Sequence, residues 1–155
     1  MIFWVEASTM WIATTRFGLI QFEPEDVIRF PEGILGLPGC RQWLLLADRR
    51  NPIIAWLQSV DRPEVALCVV SPRRFVPNYQ VRLPRRDLEP LELENLESAE
   101  VLVIVSRSAG YITLNLKAPL IFNLQRGLAR QVVCYGDQPI QYVVASLNTA
   151  LRKTA

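Results

Sequence analysis

The sequence contains no histidine, and this absence excludes more chemistry than any other feature of its composition. Histidine is the commonest general base and the commonest metal ligand, so Ser-His-Asp catalysis, Cys-His catalysis and most zinc sites are excluded. The three cysteines, Cys40, Cys68 and Cys134, are far apart and lack the two-residue spacing of metal and redox motifs. The composition therefore predicts a protein with no metal, no cofactor and no catalytic residues.

Motifs for phosphate binding and for export are also missing. Gly33, Gly36 and Gly39 lie among prolines and lack the lysine and the strand-loop-helix context of a phosphate loop. The apolar segment at residues 1–14 is interrupted by Glu6, has no basic residue before it and is too short to span a bilayer. An odd number of cysteines without a signal peptide fits a reducing compartment. We therefore expect a cytoplasmic protein that does not bind a membrane.

The length and charge of the chain favour one folded domain. Its 155 residues are 50% apolar and 21% charged, which is close to the globular average. The net charge of +2 is too small to indicate nucleic-acid binding. Charge is concentrated locally, where Arg73, Arg74, Arg82, Arg85 and Arg86 are followed by Asp87, Glu89, Glu92, Glu94, Glu97 and Glu100. These blocks form either a solvated surface whose charges pair or lie side by side, or a rim that steers a partner.

Short β-branched and apolar runs recur between prolines and glycines, which is typical of an all-β barrel or sandwich. Strands are predicted at residues 11–16, 19–22, 27–30, 43–47, 53–58, 65–70, 99–106, 111–115, 120–123 and 128–134. We expect a mainly antiparallel, closed or nearly closed β-barrel, because closure protects strand edges. A helical turn is predicted at residues 84–90 and a second helix at residues 143–151, which either covers the open end of the barrel or folds on a partner.

Five segments of the chain together resemble a known family. They are Thr15-Arg16-Phe17-Gly18, Phe30-Pro31-Glu32-Gly33-Ile34-Leu35-Gly36, Trp56-Leu57-Gln58-Ser59-Val60, Asn115-Leu116-Lys117-Ala118-Pro119 and Gln131-Val132-Val133. In this order they are similar to the flagellar assembly factor FliW family, over about residues 14 to 135. The resemblance implies a single FliW-like β-barrel domain over residues 1–155. Residues 1–13 are then an N-terminal extension, and residues 136–155 a divergent C-terminal tail.

The resemblance implies a binding protein rather than an enzyme. It implies a cytoplasmic bacterial regulator that binds newly made flagellin and also binds the RNA-binding translational repressor CsrA. The implied partners are thus flagellin and CsrA, with no direct contact to nucleic acid. One alternative is a small RNA-binding β-barrel, in which Trp56 and Phe75 stack on bases near arginines. A third hypothesis is an enzyme that uses the carboxylates of Glu92 and Glu94.

The expected contact surface lies where strands end and polar groups stand beside large apolar ones, as in protein interfaces. We predict partner binding at Pro31, Glu32, Gly33, Trp56, Leu57, Gln58, Ser59, Asn115, Lys117 and Pro119. Strand alternation in residues 111–116 predicts that Asn115 points away from the core. The structural alternatives are that Trp56 packs in the core, and that Gln58 and Asn115 satisfy backbone groups where a strand leaves the sheet.

Overall fold

The computed structural model describes residues 9–146, whose regular elements are β-strands and short 3-10 helices. The strands are β1 (Met10–Thr14), β2 (Gly18–Phe22), β3 (Val27–Arg29), β4 (Gln42–Ala47), β5 (Ile54–Ser59), β6 (Ala66–Val70), β7 (Glu100–Ser108), β8 (Tyr111–Leu114), β9 (Leu120–Asn123), β10 (Leu128–Gln131) and β11 (Tyr142–Ser146). Short 3-10 helices lie at Pro24–Asp26, Pro72–Arg74, Arg85–Asp87, Glu89–Leu91 and Leu96–Ser98. Within residues 9–146, no helix is long and apolar enough to cross a membrane.

Seven of these strands close into a barrel, which confirms the predicted fold class. The order around the barrel is β3, β4, β5, β6, β7, β9 and β10, and β10 returns to β3. Neighbours are antiparallel except β10 and β3, which meet in parallel at Leu128 and Arg29. The length of β7 makes closure possible, because residues 100–102 pair with β9 while residues 105–108 pair with β8. Both sides of each barrel strand are thus paired within the barrel.

Strands β8 and β11 extend the sheet beyond the barrel, and here one prediction is wrong. Residues 143–146 belong to β11, which pairs antiparallel with β8, and not to a helix at residues 143–151. The remainder of that predicted helix lies outside the described residues. Val143 and Val144 are β-branched, and pairing with a neighbouring strand outweighs the four-residue spacing of the apolar side chains. The predicted turn at residues 84–90 is confirmed by two of the 3-10 helices.

Large apolar side chains fill the barrel. Phe30, Trp43 and Phe122 are fully buried, and the ring of Phe30 meets the other two edge to face, with centroids 6.2 and 5.7 Å away. The indole Nε1 of Trp43 donates to the carbonyl oxygen of Cys40 at 3.1 Å, so the polar atom of this buried ring is satisfied. This packed barrel holds the ends of β6 and β7, between which the charged residues 73–100 lie.

Candidate functional site

Three of the predicted site residues, all on β5, lie inside the fold and not at a surface. Leu57, Gln58 and Ser59 are fully buried. The Gln58 amide nitrogen donates to the carbonyl oxygens of Ser59, Pro63 and Val65 at 2.9, 3.0 and 3.2 Å. The Ser59 hydroxyl accepts from the backbone nitrogen of Arg62 at 2.9 Å. These bonds hold the connection between β5 and β6, as the structural alternative for Gln58 anticipated.

Trp56 is half-buried and belongs to a cluster that the sequence did not reveal. Its indole Nε1 donates to the Asp48 carboxylate at 3.0 Å. The guanidinium carbon of Arg16 lies 3.8 Å from the centroid of the Trp56 ring, and the Phe17 ring packs against it edge to face at 5.8 Å. The hydrogen bond from Trp56 and those from two backbone amides hold the pKa of Asp48 below its usual value. The Asp48 carboxylate therefore remains ionised and orients the indole.

The turn at Pro31, Glu32 and Gly33 is tied to another part of the chain. Pro31 and Glu32 are exposed, whereas Gly33 is buried with a φ of +72°. The Glu32 carboxylate lies 2.6 Å from Nε of Arg130, an ion contact without the alignment of a good hydrogen bond. Nη1 of Arg130 donates to the carbonyl oxygen of Asp87 at 2.7 Å. Arg130 thus joins the exposed turn to the 3-10 helix Arg85–Asp87.

The remaining predicted residues shape the segment after β8. Oδ1 of Asn115 accepts from the backbone nitrogen of Ala118 at 3.1 Å, and Asn115 is half-buried. Lys117 donates through Nζ to the carbonyl oxygen of Gly136. Pro119 is buried, and its carbonyl oxygen accepts from the backbone nitrogen of Val132 at 3.0 Å. The side chain of Asn115 therefore closes the turn that leaves the strand, which is the structural alternative given for it above.

The strongest concentration of exposed charge is the acidic segment, which we define as residues 89–100. Its five glutamates are all exposed: Glu89, Glu92, Glu94, Glu97 and Glu100. Among the described residues none of these carboxylates forms an ion pair, whereas Asp87 lies 3.8 Å from Arg130. The opposite blocks of charge thus do not pair with one another, and the acidic side chains are free to meet a partner.

Apolar and polar contacts fix the acidic segment to the barrel. Leu91 is buried against Ile121, Leu128 and Val132. The side-chain amide of Asn123 donates to the carbonyl oxygens of Leu91 and Glu92 at 2.8 and 3.3 Å. A surface that is already ordered loses less conformational entropy when a partner binds. The glutamates are therefore presented from a held backbone and not from a loose loop.

An apolar groove of about 620 Å³ runs beside the acidic segment. Its apolar lining includes Val81, Leu83, Leu88, Leu96, Val101 and Ile121, and the charged side chains of Arg73, Glu97 and Glu100 also line it. Leu96 is 66% exposed and adds to the apolar surface of the groove. The sequence carried a signal for this site in the alternation of leucine and glutamate through residues 88–97. A groove of this composition can accept an amphipathic helix.

Comparison with known proteins identifies the family of this chain. A profile of the family described as FliW protein matches residues 11–144. The chain belongs to the FliW family. The flagellar assembly factor FliW of Bdellovibrio bacteriovorus is 40% identical over 126 residues, which cover 80% of this chain and 72% of the relative. That of Magnetococcus marinus is 31% identical over 150 residues, covering 94% and 93% of the two chains.

The fold of a solved FliW structure agrees with the barrel described above. A crystal structure of the flagellar assembly factor FliW superposes with a TM-score of 0.77 at 27% sequence identity, over 89% of this chain and 96% of that one. The five segments therefore identified the family correctly. Several of their residues serve the hydrophobic core, since Phe30, Leu57 and Leu116 are all buried.

Proposed function

We propose that this FliW-family protein binds flagellin and antagonises CsrA, and thereby couples flagellin synthesis to flagellum assembly. The observation that carries the proposal is the family match over residues 11–144. The relatives are named flagellar assembly factors, and the five segments that resemble the family carry the expectation of these two partners. The protein acts in the cytoplasm by binding, as a chaperone of flagellin and a regulator of translation, and not by catalysis.

The acidic segment is our proposed surface for CsrA. The resemblance implies that CsrA is a basic RNA-binding protein, and exposed glutamates without intramolecular ion partners complement such a surface. Charges of this kind accelerate encounter and exclude partners of the wrong charge. The burial of Leu91 supports the proposal, because it fixes to the barrel the backbone that carries the neighbouring Glu89 and Glu92.

The apolar groove beside the acidic segment is our proposed surface for flagellin. The terminal segments of flagellin form amphipathic helices in the filament and lack their neighbours before assembly. The groove offers apolar walls of leucine, valine and isoleucine to such a helix. Glu97 and Glu100 belong both to the lining of the groove and to the acidic segment, so the two partners would compete for the same residues. Their binding free energies are then negatively coupled.

A pair of charge-reversal variants tests this proposal. We expect Glu94→Lys/Glu97→Lys to weaken CsrA binding by about tenfold or more, measured by isothermal titration calorimetry at low salt. Glu25→Lys/Asp137→Lys is the matched control, since it makes the same change of charge at exposed positions elsewhere. An equal loss of CsrA binding in the two variants contradicts the proposal. It is also contradicted if the unmodified protein binds neither flagellin nor CsrA.

The RNA-binding alternative is weakened at Trp56, one of the two aromatic side chains on which it depends. Stacking of a base requires an accessible aromatic face. The guanidinium of Arg16 lies over the Trp56 ring at 3.8 Å and already occupies one face of it. The protein-binding function is therefore preferred.

A further inference from the structure

A second groove, on another part of the molecule, has a different composition from the two surfaces proposed above. It is open, has a volume of about 1030 Å³, and lies between strand β2 and the end of β4 with the loop that follows it. Three arginines line it, Arg16, Arg49 and Arg50, together with one acid, Asp48. We call it the arginine groove.

The one acid of the arginine groove is already engaged. Asp48 accepts hydrogen bonds from the indole Nε1 of Trp56 at 3.0 Å and from the backbone nitrogens of Arg50 and Asn51 at 2.9 Å each. Within residues 9–146, no carboxylate forms an ion pair with the guanidinium groups of Arg16, Arg49 or Arg50. Three exposed arginines therefore lie beside one carboxylate whose acceptors are occupied by neutral donors, and one of them, Arg16, also lies over the Trp56 ring.

The arginine groove also exposes apolar surface. Phe17, Leu19, Ile20, Leu45 and Leu46 contribute to its lining. Leu19 is 65% exposed, and Trp11, which lies diagonally across the β1–β2 hairpin on the same face, is 58% exposed. Large apolar side chains that cluster in this way at a surface mark sites of interaction.

We propose that the arginine groove binds an acidic segment of a partner protein that carries an apolar side chain among its carboxylates. Arginine pairs with carboxylates through two parallel hydrogen bonds, and this geometry favours it at protein interfaces. The exposed leucine and aromatic side chains supply the apolar part of the contact. The groove is opposite in charge to the acidic segment at residues 89–100, so a basic partner of that segment is repelled here. This site is additional to the function proposed above and does not depend on it.

The probe is a short fluorescein-labelled peptide in which glutamate alternates with leucine, titrated against the full chain in fluorescence anisotropy. We expect binding that Arg49→Glu/Arg50→Glu weakens by about tenfold or more. The matched control is Arg85→Glu/Arg86→Glu, which changes an exposed arginine pair elsewhere by the same charge and is expected to bind the peptide as the unmodified protein does. Leu19→Ser, at an exposed position, is expected to weaken binding while the circular-dichroism spectrum remains native.

Three further probes fix the chemistry of the ligand. A peptide with serine in place of leucine is expected to bind more weakly, and one with lysine in place of glutamate is expected not to bind. A single-stranded RNA oligonucleotide is expected to bind more weakly than the acidic peptide, because the guanidinium of Arg16 already covers one face of the Trp56 ring. Equal loss of peptide binding in the two arginine-pair variants overturns the proposal. So does RNA binding that is tighter than peptide binding.

Discussion

At the scale of the residue, Tyr79 shows how burial sets the protonation of a side chain. Tyr79 is buried, and its hydroxyl donates to the carbonyl oxygen of Leu116 at 2.7 Å. Burial raises the pKa of the Tyr79 phenol well above its usual value, and burial likewise raises the pKa of the Cys134 thiol, whose sulfur lies 4.0 Å away. Both groups are neutral in the folded protein at physiological pH.

The raised pKa of Tyr79 predicts a loss of stability at alkaline pH. Above about pH 10 an unfolded tyrosine loses its proton, while Tyr79 in the folded protein retains its own. The unfolded state then binds fewer protons, so the free energy of unfolding falls as pH rises. Tyr79→Phe removes this contribution, and its Tm should fall less steeply between about pH 9 and pH 11 than that of the unmodified protein. Thermal unfolding followed by circular dichroism measures both slopes; equal slopes refute the assignment.

Gln58 provides a second test at this scale, since it was predicted as a binding residue and lies in the core. Gln58→Ala removes a side-chain donor from the carbonyl groups of Ser59, Pro63 and Val65. The carbonyls of Pro63 and Val65 keep a backbone donor, whereas that of Ser59 loses the bond from the Gln58 amide. We expect a loss of about 1–3 kcal/mol in the free energy of unfolding, measured by urea denaturation. Gln80→Ala, at an exposed position, is the control. If the variant keeps its stability but binds a partner more weakly, Gln58 is a binding residue as first predicted.

The residues of the site show what a sequence can and cannot predict. The type of each side chain indicated that Gln58 and Asn115 either bind a partner or satisfy the backbone, and these alternatives could not be separated locally. The choice depends on contacts such as that of Gln58 with Pro63, which exist only after the chain has turned back on itself. The position of Arg16 over Trp56 is of the same kind, because 40 positions separate the two residues in the chain.

At the scale of the element, the acidic segment depends on one buried anchor. We expect Leu91→Ala to lower the free energy of unfolding by about 2–5 kcal/mol, because it opens a cavity against Ile121 and Leu128. Leu96→Ala is the matched control, since Leu96 is 66% exposed and its truncation should cost no more than about 0.5 kcal/mol. Urea denaturation measures both. Equal effects would show that the anchor does not hold the segment.

Two glycines with left-handed backbone form a second matched pair. Gly127 has a φ of +61°, and a Cβ added there would lie 3.0 Å from the carbonyl oxygen of Val27, whereas Gly18 has a φ of +69° and open space around it. Alanine at either position should cost about 1–2 kcal/mol for the left-handed backbone. Gly127→Ala should cost more, because the carbonyl of a barrel strand must also move. Tm values of the two variants measure the difference, and equal values would contradict it.

The strands were predictable because the alternation and punctuation that define them are local. The predicted strand at residues 120–123 coincides with β9, and each of the others overlaps an observed strand. The prediction of a helix at residues 143–151 was wrong at residues 143–146, because the pairing of β11 with β8 is a contact between segments distant in sequence. The sequence predicted a closed barrel but not that β7 and β9 close it, because this pairing too joins segments that are distant in sequence.

At the scale of the whole molecule, a barrel with paired edges carries two separate surfaces of opposite charge. The acidic segment lies between β6 and β7, and the arginine groove lies at the β1–β2 hairpin and the end of β4. Five exposed glutamates in the first and three arginines in the second give each surface its own preference for partners. The small net charge of +2 conceals this division.

The most direct measurement of the proposed function is a competition titration of CsrA into the protein, alone and in the presence of saturating unassembled flagellin. Both partners are expected to bind when tested singly, and flagellin is expected to reduce the apparent affinity for CsrA, because Glu97 and Glu100 serve both surfaces. Formation of a ternary complex in which CsrA binds with unchanged affinity would contradict this mechanism.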